Sequence, residues 1–213
     1  MKLKLLSNFN DYYDHWFDLD GNVFKRTTNS GMIRGRMFSF MRSHGLTVPI
    51  YGIVQHLENY LYPDKKVVVY LDENKHCGEG KQLLTLGEAY KLYPFKLCTE
   101  YLVNENPFGY AVSYRHLQIG NRAFWIKYIS YTDWRSNCGE GDIELIEERK
   151  PIEIPHKPLF AVDFVEKNNI YYAIDFNISP GIRGTGIEDI IPPKEVVDLI
   201  KEVYFKQWSG DII

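Results

Sequence analysis

The chain is 213 residues long with a formal charge of -3, from 25 basic and 28 acidic residues. That balance excludes a global positive field of the kind that holds a nucleic-acid backbone or an anionic membrane. Hydrophobic residues at 45% and charged residues at 25% exclude intrinsic disorder. The 3 cysteines, widely spaced with no CxxC pair, exclude a disulfide framework and a zinc site.

The amino terminus reaches acidic residues before any apolar stretch long enough for a signal peptide, and no run approaches a membrane span. The expectation is a soluble protein of a reducing, cytoplasmic compartment. Ile33 to Ser43 reads as the first helix, after the turn-rich Thr27 to Gly31 and before Gly45, which is placed to end it. A second short helix is expected at Ile50 to Tyr60. KVVVYL, from Lys66 to Leu71, is short and β-branched, and so predicts a buried strand. A polar loop containing Gly78 and Gly80 leads to Gln82–Leu92, where Leu83, Leu84, Leu86, Ala89 and Tyr90 suit an amphipathic helix. Strand, glycine loop and helix can together hold phosphate under Lys75 or Lys81. This is not a Walker A loop, because Gln82 stands where Ser or Thr is needed.

From Phe95 the pattern turns to β, with FKLCTEYLV, AVSYRHLQI and RAFWIKYISYTDW. Gly120-Asn121 between the last two predicts a two-residue hairpin turn. In that register Arg115 faces Ile126, and Lys127 falls on the opposite face from Arg115. Prolines 151, 155 and 158 leave Glu147–Pro158 without assigned regular structure. Phe160–Glu166 and Ile170–Asn177 predict a second hairpin. Pro180-Gly181 then breaks the strand, a glycine-rich loop runs to Gly186, and Pro193 opens a closing helix through about Phe205.

Alternation along a strand puts Asp175 and Asn177 on one face. A three-residue loop centred on Asn169 sets Asp163 across from Asp175, whereas a two-residue turn sends Asp163 to the other face. Two carboxylates and an amide this close suit a hard divalent cation, which takes oxygen ligands. The alternative is a set of solvated acids on an exposed sheet. The 6 histidines show no metal-ligand spacing, the cysteines lack activating partners, and the aromatic cluster of Tyr12, Tyr13, Trp16 and Phe17 most simply packs the core.

FAVDFVEKNNIYYAIDFNISPGIRGTG resembles the last catalytic segment of the ATP-grasp fold, an Asp on one strand and then a Glu/Asp-x-Asn-x-x-PG motif on the next. The resemblance implies that Asp175 and Asn177 are metal ligands with Asp163 nearby. YTDWRSNCGEGD is similar to the Arg-Ser-Asn and Gly stretch of amino-acid ligases of that fold, which gives Arg135 to a nucleotide phosphate and Asn137 to the substrate side. FKLCTEYLV resembles the adenine-hinge strand, with Glu100, Tyr101 and Leu102 in contact with the base. By that resemblance SYRHLQIGNRAFWIKY supplies Arg115 and Lys127 to the phosphates, beside Lys81 of the glycine loop, and Arg183 can hold an incoming carboxylate through its bidentate fork.

The resemblance spans about residues 95–205. Three departures mark it: the short segment before the hinge, the Pro-rich Ile143–Pro158 in place of a helix, and Asp175 where Glu is more common. In these it resembles compact, phage-associated ATP-grasp families. The implied fold class is α+β, ATP-grasp-like, with antiparallel sheets flanked by helices and a shortened amino-terminal region. Residues 1–94 are expected to form a substrate and phosphate-lid lobe, and 95–213 the nucleotide and metal lobe. The implied activity is an ATP- and Mg²⁺-dependent carboxylate-amine or peptide-type ligase acting through an acyl phosphate on small carboxylates and amines or a peptide. The alternative is a nucleotide-binding protein of the same fold without ligase turnover.

Overall fold

The computed structural model describes residues 15–17, 23–25, 34–73, 75, 79–154, 159–177 and 180–210. Tyr12, Tyr13 and Gly78, singled out above, lie outside them. Among the described residues no helix is long and apolar enough to cross a membrane. Strands β1 (His15–Phe17) and β2 (Val23–Lys25) pair as a small antiparallel ribbon. Helix α1 (Arg34–Ser43) buries Arg34, Met37, Phe38 and Met41, an i, i+3, i+4, i+7 stripe. Gly45, at φ +77, ends it as expected. The Gly45 amide donates to the Arg42 carbonyl at 3.0 Å and the Leu46 amide to that of Met41 at 3.1 Å, the paired bonds of a Schellman cap.

The first main sheet has the order β3-β6-β4-β5 and is antiparallel throughout. It is built from β3 (Tyr51–Ile53), β4 (Lys66–Tyr70), β5 (Lys81–Thr85) and β6 (Leu97–Glu100). Three expectations change here. The helix expected over 50–60 is β3 followed by the single turn α2 (Val54–Leu57). The helix expected from Gln82 begins only at Leu86, as α3 (Leu86–Leu92), because KQLLT is taken up as a strand against KVVVY. Thr85 and Glu88 form a capping box that fixes this start. Finally, β6 bonds to β3 and β4, so the boundary drawn between 94 and 95 cuts through a sheet.

The second sheet has the order β11-β10-β7-β8-β9, again antiparallel. It comprises β7 (Ala111–Ile119), β8 (Arg122–Ser130), β9 (Gly141–Arg149), β10 (Leu159–Lys167) and β11 (Ile170–Asn177). The Gly120-Asn121 hairpin has the expected register, with Arg115 opposite Ile126. Glycine is needed at its tip: φ is +60, and a Cβ there would lie 2.4 Å from the Leu199 carbonyl oxygen. Strand β9 covers part of the segment left unassigned. It is an edge strand exposed at eight of its nine positions, so its sequence carries no buried alternation.

Between β10 and β11 the chain turns on two residues, Asn168 and Asn169, both at positive φ (54 and 60). Lys167 therefore pairs with Ile170, the register that by itself would separate the acids. A bulge between Asp163 and Phe164 shifts the ladder by one residue and sets Asp163 opposite Asp175. The facing acids expected of a three-residue loop thus arise from a two-residue turn and a bulge.

Helix α4 (Pro193–Gly210) closes the chain. Its Val196, Val197 and Ile200 pack on Leu117, Ile119 and Phe124 of the second sheet. A second core joins Phe38 and Met41 of α1 to Tyr70, Phe160 and Phe176, so α1 packs against both sheets.

Cys98 on β6 is fully buried, and burial pushes its thiol from 9.0 up to about 12. Burial also raises the Tyr70 phenol. Both groups hold their proton more tightly folded than unfolded, so the stability they lend is complete below the unfolded values and is lost as pH rises toward the folded ones. The urea midpoint is expected to fall across the interval from pH 9.0 to about 12. The slope for Cys98 reaches about 1.4 kcal/mol per pH unit. A midpoint flat through that interval would contradict the burial.

Candidate functional site

The two sheets face each other across a cleft. Its walls include Tyr70 and Lys81 of the β4–β5 hairpin, Glu100, Tyr101 and Leu102 at the end of β6, and Asp163 and Asp175 of β10 and β11. Trp134, Arg135, Ser136 and Asn137, on the arm after β8, close one side. Of the residues singled out from sequence, Lys81, Glu100, Tyr101, Leu102, Arg135, Asn137, Asp163 and Asp175 come together here.

The acids are the electrostatic centre. Arg115 donates from Nε to Asp163 Oδ1 at 2.6 Å and from Nη2 to Oδ2 at 2.9 Å, a bidentate fork between side chains that are 13% and 16% exposed. Burial opposes the guanidinium charge, but Asp163 outweighs it and holds Arg115 above its ordinary value. Asp175 Oδ1 accepts from Arg34 Nη1 at 2.5 Å. Arg34 went unnoticed in the sequence. It lies 141 residues from its partner, and no spacing links the two.

Lys81 begins β5, with its ammonium 5.7 Å from the centre of the Tyr70 ring. It makes no ion pair among the described residues. Burial, and then the charge of Arg34, hold the ammonium below its ordinary value. Lys81 opens a strand paired with β4, where the expectation was a strand-to-helix phosphate loop.

The Glu100–Leu102 segment is held from several sides. Glu100 Oε1 accepts from Lys167 at 3.2 Å and pairs with Lys65 at 3.4 Å. The Tyr101 amide donates to the Lys66 carbonyl at 3.0 Å, and its ring meets Trp134 edge-on at 5.8 Å. Arg135 forks onto Asp133 at 2.8 and 2.6 Å and lies 5.7 Å from the Trp134 ring centre. Ser136 Oγ donates to Ser113 Oγ, tying this arm to β7.

Three expected residues stand apart. Lys127 lies on the opposite face of the sheet, in a separate groove with Tyr114 and Glu166, as the hairpin register required. Arg183 is exposed on the 180–186 loop and does not line the cleft. Asn177 shares the Asp175 face at the end of β11 but lies beyond the enclosed part of the cleft.

Among the described residues no group of three or more His, Cys, Asp or Glu side chains is arranged to hold a metal. Asp163 and Asp175, with Asn177 on the same face, nonetheless form a hard-oxygen set. The set fits Mg²⁺, which usually takes one or two carboxylates and completes its shell with water and phosphate.

No family model matches the chain, and no curated protein matches its sequence significantly. Solved structures do match. The D-alanine–D-alanine ligase of Bacillus anthracis complexed with ATP aligns over 84% of this chain and 67% of its own, with TM-score 0.52 and 14% identity. A second structure of that ligase aligns over 84% and 69%, with TM-score 0.50 and 11% identity.

Proposed function

The chain carries an ATP-grasp-like α+β fold, and from that premise we propose that it is an ATP- and Mg²⁺-dependent ligase joining a carboxylate to an amine. Its substrates are small carboxylates and amines or a peptide. The observation that carries the reading is the convergence in one cleft of Glu100–Leu102, the ammonium of Lys81, which makes no ion pair among the described residues, and the facing acids Asp163 and Asp175.

In the reaction proposed, a substrate carboxylate oxygen attacks the γ-phosphorus of ATP, the bond to the bridging oxygen breaks and ADP leaves. An amine then adds to the acyl phosphate, loses a proton to solvent and expels phosphate. Asp163, Asp175 and Asn177 would hold Mg²⁺, which when bound supplies charge neutralisation at the phosphates. The chain's own part is positional and electrostatic. Lys81 donates to a phosphate oxygen, and Arg115 fixes the orientation of Asp163 through its fork. Arg135 faces the transferring group and Asn137 the acceptor, while Arg183, outside the cleft, is reserved for the carboxylate of an acceptor that extends beyond it. Lys127, on the far face, has no part. The cleft encloses about 90 Å³, against roughly 300–1,000 Å³ for ligand pockets. The first sheet therefore acts as the phosphate lid, and its β4–β5 hairpin moves outward to admit the nucleotide.

A second reading, nucleotide binding without turnover, is favoured by one observation: both acids are already paired with arginines. ADP release from ATP and Mg²⁺ with pools of amino acids, small carboxylates and peptides separates the two readings. One pool is expected to stimulate release, and the Asp175→Ala, Asn177→Ala double variant to lose about 10²-fold or more of it. No stimulation, with ATP still raising the melting temperature, selects the second reading. An absence of both effects overturns both.

A further inference from the structure

Arg34 is the most deeply buried charge of the site, with a side chain 0% exposed. From the first turn of α1 it reaches Asp175 with Nη1 and the Lys75 carbonyl with Nη2 at 3.2 Å, and its carbon lies 5.6 Å from the Tyr70 ring centre. Its Nε is buried with no hydrogen-bond partner among the described residues. A guanidinium removed from water with one donor unmet is a poor filler of space, since an apolar side chain packs there without the desolvation cost. What the site gains from Arg34 is its charge, beside Asp175.

That charge alters the balance of the cleft. Arg115 and Arg34 together offset Asp163 and Asp175 in full, before Lys81 is counted. A free divalent cation brought to the acids meets no net negative field and must also displace or crowd a guanidinium in a medium where charges are weakly screened. A triphosphate changes the sign, because its oxygens bring more negative charge than the metal brings positive, and they attract both arginines and Lys81.

We propose that Arg34 is the internal counter-cation of Asp175, a positioning residue that keeps free divalent ions off the acid pair and admits them only together with a nucleotide's phosphates. The proposal rests on the reading of Asp163 and Asp175 as metal ligands. The β4–β5 hairpin takes part through the Lys75 carbonyl, so release of Arg34 from Asp175 and release of the hairpin tip are linked.

The test is Mn²⁺ binding followed by electron paramagnetic resonance on the full chain, with and without a non-hydrolysable ATP analogue. Mn²⁺ alone is expected to bind Arg34→Gln about ten-fold or more tightly than wild type, while with the analogue the two agree within about three-fold. A purely structural role for Arg34 does not produce tighter metal binding on its removal. Arg34→Lys, which keeps the charge, is expected to exclude Mn²⁺ as wild type does. If Arg34→Gln gains no affinity for Mn²⁺ alone while both proteins bind it with the analogue, the proposal fails and the metal-ligand reading stands. No Mn²⁺ binding to either protein with the analogue overturns the metal-ligand reading as well. Should Arg34→Gln not fold, wild type alone decides: free Mn²⁺ bound as tightly as in the presence of the analogue overturns the proposal.

Discussion

Replacement of Arg115 by Met is expected to lower the stability of the folded chain by about 3–5 kcal/mol. Asp163 is 16% exposed, and both its oxygens accept from Arg115, at 2.6 and 2.9 Å. The substitution leaves that half-buried carboxylate without the guanidinium that pairs it, and removes the guanidinium's contact with the Tyr128 ring. Urea unfolding reads the change as a lower midpoint at constant slope. Removing both charges, in Arg115→Met with Asp163→Leu, is expected to recover part of the loss, because neither buried charge is then stranded. A loss below about 1 kcal/mol in the single variant would place the pair among solvent-screened surface bridges and would contradict its burial.

Lys81→Met is expected to move binding and stability in opposite directions. A charge-assisted hydrogen bond to phosphate is worth about 1.5–3 kcal/mol, so ADP or ATP affinity should fall roughly 10- to 100-fold by calorimetry. The melting temperature of the nucleotide-free chain should hold or rise. Lys81 makes no ion pair among the described residues, and burial together with Arg34 already disfavours its charge. Met keeps the apolar stem against Tyr70 and removes the ammonium. A site held in strain for its ligand shows this opposition. If affinity is unchanged, Lys81 does not touch phosphate. If stability falls sharply, the ammonium has a structural partner, and its place in the reaction must be abandoned.

The hairpins were legible because their signals are local. Gly120 and the pair Asn168-Asn169 take positive φ at the tips, and short runs rich in β-branched and aromatic residues marked β7, β8, β10 and β11. The same local rules put Asp175 and Asn177 on one face and Lys127 on the face away from Arg115. Sequence by itself thus determined the acid-bearing strands and the face that Asp175 and Asn177 share. Elsewhere a local signal was present and overlooked, as with TLGE, whose capping box starts α3 at Leu86.

Tertiary structure decided the rest. KQLLT suits a helix or a strand equally, and only pairing with KVVVY makes it β5. Strand β9 has one covered edge and almost no buried side chains, so its identity comes from β8. The bulge that aligns Asp163 with Asp175 is set by pairing across the sheet and not by the turn. The Arg34–Asp175 pair joins elements 141 residues apart. Backbone propensity and turn chemistry act over a few residues, whereas the partner of a buried charge and the neighbour of an edge strand are fixed only when distant segments are packed together.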